Sequence, residues 1–485
     1  MSKDKNRTYY ELLKKYFNLN KEVSLLQISR DKAFVEVALK KTNVDKDKVN
    51  NYKSLLKKIN QALEDKRFVA DFRMNNEAKL YLTYNSEILQ GYREMYDKIE
   101  QIRLKSKNII KKSASEKLRT EKYAQSYEYL KEIYFKNLDD YISSSNILAR
   151  SLGASSFFEI DERFYGISSK DRKEILNTVQ SSKYLIDEYF SIKAKSNDIN
   201  AVHLWEEQLP LVKGINYDFN FHESIKLIGH FFSIFPLEIR EIVEYIFKNN
   251  LVNSRREGYN FATTAPDSEG SIYIRWDNSL DSVMALVHEI GHLINNKITK
   301  VSLVKDTIKS EIVSNFFEYS FLNWLTVNEK YKYIAINYMI EKIRMTIFVQ
   351  AKFTYFEDNI YQRSIQGLES SSKIFTEIYI DAEKKFYNMH SADYIYQTAG
   401  WARIPHFYYG LYNYKYIYAS IYGFELSSMV TWGNNATDDT FESLKMKTFS
   451  DVKIYMDNSI EKDEKEMMKD LLSYFKVCLD LIKKK

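Results

Sequence analysis

No proline precedes Pro210, and Gly91 is the only glycine before Gly153. Proline and glycine are the strongest punctuators of local structure, so a stretch this poor in both is most simply helical. Residues 6 to 150 accordingly read as a series of long amphipathic helices, with breaks near Thr42–Asp45, Met74–Asn76 and Lys112–Ser115. Breakers stay scarce beyond that point, with 13 Gly and 4 Pro in all. An apolar fraction of 45% and an aromatic fraction of 15% supply a sizeable core and exclude global disorder. The expected fold class is mainly α.

Against this background, His288-Glu289-Ile290-Gly291-His292 carries chemistry. Positions four apart share one face of a helix, so the two imidazoles can share one ion. Eighteen residues separate His292 from Glu311, and two histidines with a carboxylate leave a fourth position open, as in catalytic zinc sites. Glu289 lies about 100° round the helix from His288, beside the ion and not pointed at it. That position suits a base acting on a metal-bound water. His288, His292 and Glu311 are therefore the expected metal ligands, with Glu289 as general base. A buried helix carrying two satisfied histidines is the bland alternative.

The flanks read as helix. Asn278 is expected to cap it, with Asp281 as capping-box partner. Leu280, Val283, Val287, Ile290 and Ile294 make a core stripe. Met284, His288, His292 and Asn295 make a neighbouring stripe that would face a cleft. Gly291 weakens a helix by up to about 1 kcal/mol against Ala, which implies that another backbone comes close. A second helix is expected from Asp306 to Leu325, with Glu311, Ser314, Asn315 and Glu318 on one side and Ile312, Phe316 and Leu322 or Phe321 supplying apolar contacts. Ser314 or Asn315 is expected to hold the far nitrogen of a ligand histidine, and Glu318 to be structural.

Strands are expected only between 258 and 277. Gly258–Ala262 and Ser271–Trp276 are the candidates, joined by a turn at Ala265–Gly270. An edge strand there would let an extended peptide pair with it. Tyr217–Asn220 reads as a loop before a helix near His222, helices resume from 306 to 390, and Glu461–Lys485 reads as a charged terminal helix. The net charge of +5 comes from interleaved signs, 71 basic and 66 acidic residues. It lacks the basic stripe of a nucleic-acid interface. Cys478 is the only cysteine, which excludes an internal disulfide and a thiolate metal site. No apolar run approaches membrane-spanning length, and the start is not an apolar signal region. The expectation is a soluble, cytoplasmic protein.

Together with Ser310–Glu318, Asn278–Asp281 and Trp401-Ala402-Arg403-Ile404-Pro405-His406-Phe407-Tyr408-Tyr409, the motif resembles oligoendopeptidase F of the thimet-like M3 peptidases. A weaker likeness covers Asn146–Asp161, and the resemblance as a whole runs from about 120 to 430. It implies a two-lobed helical zincin-type peptidase of the gluzincin kind, with a deep central cleft and a small β-sheet beside the zinc helix. The implied division is an N-terminal helical lobe at 1–195 and a catalytic domain at 196–485. The implied substrates are short peptides, cut at internal bonds, and the cofactor is one zinc ion. Tyr412, Tyr414 and Tyr416 match the family's Tyr-x-Tyr-x-Tyr run. By resemblance, His406 and one of these tyrosines stabilise the oxyanion, with Tyr414 the first choice. Tyr412, Tyr416, Gly258, Tyr259 and Arg403 are the expected substrate contacts.

The chain departs from the pattern in places. Asn295 stands where the family often has a third His, the gap to Glu311 is short, and Arg256-Glu257 precedes Gly258-Tyr259 in place of a Gly-rich approach. The chain is also shorter than typical members at the N-terminal side. Seven tyrosines between 408 and 422 cannot all face one way on a helix, so most are packing residues. Two rival readings stay open. One is a metallocarboxypeptidase or dipeptidase of the same fold, with Arg403 or Arg256 clamping a terminal carboxylate. The other is a non-catalytic peptide-binding or scaffold protein.

Overall fold

The structure is a computed structural model. It describes most of the chain from 128 to 485; residues 1–127, 151–153, 255–262, 265–271, 300–305, 388–390, 409–410 and 431–437, with a few shorter gaps, lie outside that description. The expected N-terminal helix series falls there up to residue 127, with its breaks, as do the strand at Gly258–Ala262 and Gly258, Tyr259 and Arg256; the described residues from 128 to 150 are helical.

The described chain is mostly helical, with very little strand. The helices are α1 Phe157–Tyr165, α2 Ser169–Ser181, α3 Tyr184–Ser196, α4 Phe221–Phe232, α5 Leu237–Lys248, α6 Leu280–Thr299, α7 Thr307–Thr326, α8 Lys332–Ile343, α9 Gln350–Ile365, α10 Ser372–Phe386, α11 Asn413–Ser428, α12 Asp438–Lys445, α13 Phe449–Ile460 and α14 Glu464–Ile482. A π-helical turn, Arg344–Val349, joins α8 to α9. Helix starts follow side-chain chemistry. Asn220 accepts from the His222 amide at the head of α4, and Asp463 forms a capping box with Glu466 at the head of α14.

The central helix is α7. Every residue from Ile308 to Leu322 is buried, so this helix is enclosed on all sides. Its two neighbours are admitted by glycines. A Cβ on Gly291 of α6 would lie 2.7 Å from Ser314 Cα, and one on Gly423 of α11 would lie 2.6 Å from Asn315 Cβ. Consecutive residues of α7 thus meet a glycine of each flanking helix, which is the close approach that Gly291 implied. One continuous apolar core runs from Tyr134 to Ile482 and includes side chains from both sides of residue 195.

Among the described residues the small sheet has three strands, in the order β1 (Val252–Asn253), β3 (Ile272–Tyr273), β2 (Thr263–Thr264). Strand β3 is parallel to β1 and antiparallel to β2. It is shorter than the expected Ser271–Trp276 and lies between the other two, with β2 at one edge. Strand β1 is not expected from the sequence, because Val252–Asn253 is too short to show alternation.

Candidate metal centre

Helix α6 begins one residue later than its expected cap implies. Ser279 Oγ accepts from the Ser282 amide, while Asp277 accepts from the Ser279 amide and hydroxyl and from Ser282 Oγ. Asn278 has a left-handed backbone, φ 64, and its carbonyl accepts from the Phe219 amide. Asn278 is therefore a turn residue, Ser279 is the cap, and Asp281 has no capping-box role. The core stripe is as expected. In the second stripe only His288 and His292 are partly exposed; Met284 and Asn295 are buried, and Asn295 Oδ1 accepts from Lys309 Nζ at 3.3 Å. At the head of α7, Asp306 accepts from the Lys309 amide, as its position predicts.

These two helices bring His288, His292 and Glu311 together. One donor atom from each lies within 4.8 Å of the others. His288 Nε2 is 3.4 Å from Glu311 Oε2, and His292 Nε2 is 3.7 Å from Glu311 Oε1. The opposite ring nitrogens are held. His288 Nδ1 donates to Glu318 Oε2 at 2.9 Å. His292 Nδ1 lies 2.9 Å from Ser310 Oγ and 3.0 Å from Ser314 Oγ. Ser314 Oγ spends its own proton on the His288 carbonyl at 2.9 Å, so it accepts from His292. A carboxylate and a committed hydroxyl therefore put a proton on Nδ1 of both rings, so that in the neutral form each ring keeps its Nε2 lone pair on the Glu311 side.

Ser314 thus does what was expected of Ser314 or Asn315. Asn315 does something else: its amide donates to the Glu311 carbonyl at 2.8 Å and accepts from Lys342 Nζ at 2.8 Å. Ser310 and Lys342 were not among the expected residues. Ser310 was recoverable, being one turn before Ser314 on the same face. Lys342 comes from another helix and has no local signal.

The electrostatics fit a cation. Glu311 Oε2 is buried without a hydrogen-bond partner, and such an atom calls for an ion or another group to satisfy it. Burial raises the Glu311 carboxyl, the nearby His288 charge opposes this, and Glu289 and Glu318 add to it. For His288, burial alone favours the neutral ring. The charge and hydrogen bond of Glu318, with Glu311 and Glu289, outweigh it and push the imidazole up to about 9. Burial also works against the Glu318 charge, but Lys342 and His288 prevail and hold that carboxyl down at about 2. Two imidazole nitrogens and one carboxylate oxygen are the donor set of a catalytic zinc with an open position. Buried Glu289 lies close enough for its charge to act on both His288 and Glu311.

A second cluster forms around His406. Its ring stacks on Tyr412, centroids 5.5 Å apart, and meets Tyr416 edge-on at 5.7 Å. The two tyrosine hydroxyls are 3.5 Å apart. Burial depresses the His406 imidazole to about 4, so it is neutral at physiological pH. The next turn of α11 ties back to α7, where Ser420 Oγ bonds Tyr319 Oη at 2.6 Å.

Tyr414, expected as the oxyanion donor, does not join this group. Its hydroxyl donates to Asp161, and the side chain is 1% exposed. Asp161 also pairs with Lys415 at 3.2 Å and lies 3.7 Å from Arg172. The cause is helical phase: residues 412 and 416 share a face, and 414 points about 200° away from 412. The side chain of Arg403 lies outside the described residues.

Peptidase family M3 matches residues 247–446. An oligoendopeptidase F homolog of Lactococcus lactis subsp. lactis is 23% identical over 60% of this chain and 50% of its own length. The chain spans about half the length of the first such relatives it matches. Among solved structures, oligoendopeptidase-F from Enterococcus faecium superposes with a TM-score of 0.60 at 16% identity, over 99% of this chain and 98% of that one. Trypanosoma cruzi metallocarboxypeptidase 1 superposes at 0.52 and 12% identity, over 95% and 99%. Residues 247–446 thus match peptidase family M3, and the chain shares the fold of oligoendopeptidase F.

Proposed function

We propose that this protein is a zinc-dependent peptidase that hydrolyses internal bonds of short oligopeptides. The observation that carries the reading is the convergence of His288 Nε2, His292 Nε2 and a buried Glu311 oxygen that has no hydrogen-bond partner. A zinc ion there would polarise the scissile carbonyl and acidify a water. Glu289 then takes the water proton and hands it to the leaving amine. The Nδ1 partners keep both rings in the ligating tautomer. His406, Tyr412 and Tyr416 form the wall that contacts peptide, and their N–H and O–H groups are the donors available to a developing oxyanion. Tyr414 is not among them. The reading includes a two-lobed shape divided near 195 and 196, and a cytoplasmic location. The single, buried cysteine is compatible with a reducing compartment.

The test is digestion of a defined peptide mixture with and without chelator, read by mass spectrometry. Internal cleavage that chelator abolishes and zinc restores is the expected result. Glu289→Gln should retain zinc and lose turnover; a variant that still turns over would remove Glu289 from its role. The likeness to a metallocarboxypeptidase over 99% of that chain gives a second reading some weight. Peptides with an amidated C-terminus separate the two, since an endopeptidase cuts them and a carboxypeptidase that needs the free carboxylate does not.

A further inference from the structure

Lys342 of α8 lies one step behind the metal ligands, and its side chain is 6% exposed. Its ammonium donates to Glu318 Oε2 and to Asn315 Oδ1, each at 2.8 Å, and lies 5.0 Å from the Tyr319 ring centroid. We propose that Lys342 is a positioning residue for the metal centre, fixing Glu318 and through it the His288 ring. This rests on the zinc reading above.

The same carboxylate oxygen, Glu318 Oε2, accepts from both His288 Nδ1 and Lys342 Nζ. With one partner, a glutamate can swing about its side-chain torsions. With two donors from different helices converging on one oxygen, its place is set, and so is the direction of the imidazole it holds. The ammonium reaches the other side of the site as well. Asn315, its second partner, donates to the carbonyl of Glu311, the third ligand. One cation on α8 thus braces two α7 residues: Glu318, which holds the His288 ring, and Asn315, which bonds the Glu311 backbone.

Charge supports the same role. With zinc bound and both imidazoles neutral, the three carboxylates of Glu289, Glu311 and Glu318 would leave the site one negative charge in excess. Lys342 brings that buried sum from minus one to zero, and uncompensated buried charge is costly. The local backbone is shaped to match. The π-helical turn begins two residues on, at Arg344, and Thr346 Oγ1 donates to the Lys342 carbonyl at 2.8 Å. A π turn changes the helical phase. Lys342 faces α7, whereas Glu357, beyond the turn on α9, accepts from Asn413 of α11.

The experiment measures zinc affinity by chelator competition, with the absorption spectrum of the cobalt-substituted protein beside it. Lys342→Met is expected to raise the zinc dissociation constant about 10–100-fold, the usual effect of losing an outer-shell partner, and to alter the cobalt spectrum. Lys342→Arg keeps the charge and should restore most of the affinity. If the Met variant fails to fold by circular dichroism, Lys342→Gln carries the same readout. A folded Met or Gln variant with wild-type affinity and spectrum overturns the inference, as does an Arg variant no better than Met. If the wild-type chain takes up no zinc, the zinc reading falls and this inference with it.

Discussion

At the scale of single residues, the tyrosines of α11 divide by phase. Tyr412 and Tyr416 meet His406, while Tyr414 meets Asp161. Tyr414→Phe should leave a buried carboxylate one donor short and cost about 1–3 kcal/mol in denaturant unfolding, with kcat close to wild type. Phe at 412 or 416 should act the other way. At least one of them should lower kcat by about 10²–10³, the cost of a lost oxyanion donor, with little change in stability. A large kcat loss confined to Tyr414→Phe would return that hydroxyl to the reaction. The division was partly legible, because a four-residue spacing joins 412 to 416 and excludes 414. The family likeness pointed to 414, but a side chain's partners depend on what packs against its face.

At the scale of elements, the site is the seam between α6 and α7. Gly291 sets their spacing, and Ser314, which a Cβ there would strike, is also the residue that orients His292. Gly291→Ala gains helix propensity, up to about 1 kcal/mol. The overlap is with backbone, which cannot swing aside, so overpacking of about 1–3 kcal/mol should win. The variant should be less stable in urea and bind zinc more weakly. A variant that is more stable with unchanged affinity would show that the seam is loose. The α7 start at Asp306 and the ligand face of both helices could be read from spacing and capping alone. The start of α6 could not: the Asn278 carbonyl is claimed by the Phe219 amide, which comes from a distant segment.

At the scale of the whole molecule, metal and protons compete for the His288–Glu318 pair. His288 is raised from 6.5 to about 9 in the metal-free protein, so its stabilising contribution is full below 6.5 and fades as pH climbs through about 9. Glu318 is lowered from 4.5 to about 2, so its contribution is full above 4.5 and fades as pH falls toward 2. Thermal melts of the metal-free chain should therefore place the full benefit of the pair between about pH 4.5 and 6.5. Zinc needs the neutral ring, so binding below about pH 9 should release a proton and weaken about tenfold per unit of acidification. Titration calorimetry in buffers of different ionisation enthalpy would show this, and heats independent of buffer would contradict it. The sequence by itself determined the helical class, the three candidate metal donors and the neighbouring carboxylate, because helix periodicity and breaker content are local properties. Only the tertiary structure decided that Glu318 and Lys342 stand behind His288, that two serines hold His292, and that Tyr414 turns to Asp161. Those choices depend on how helices far apart in the chain cross, which no local spacing records.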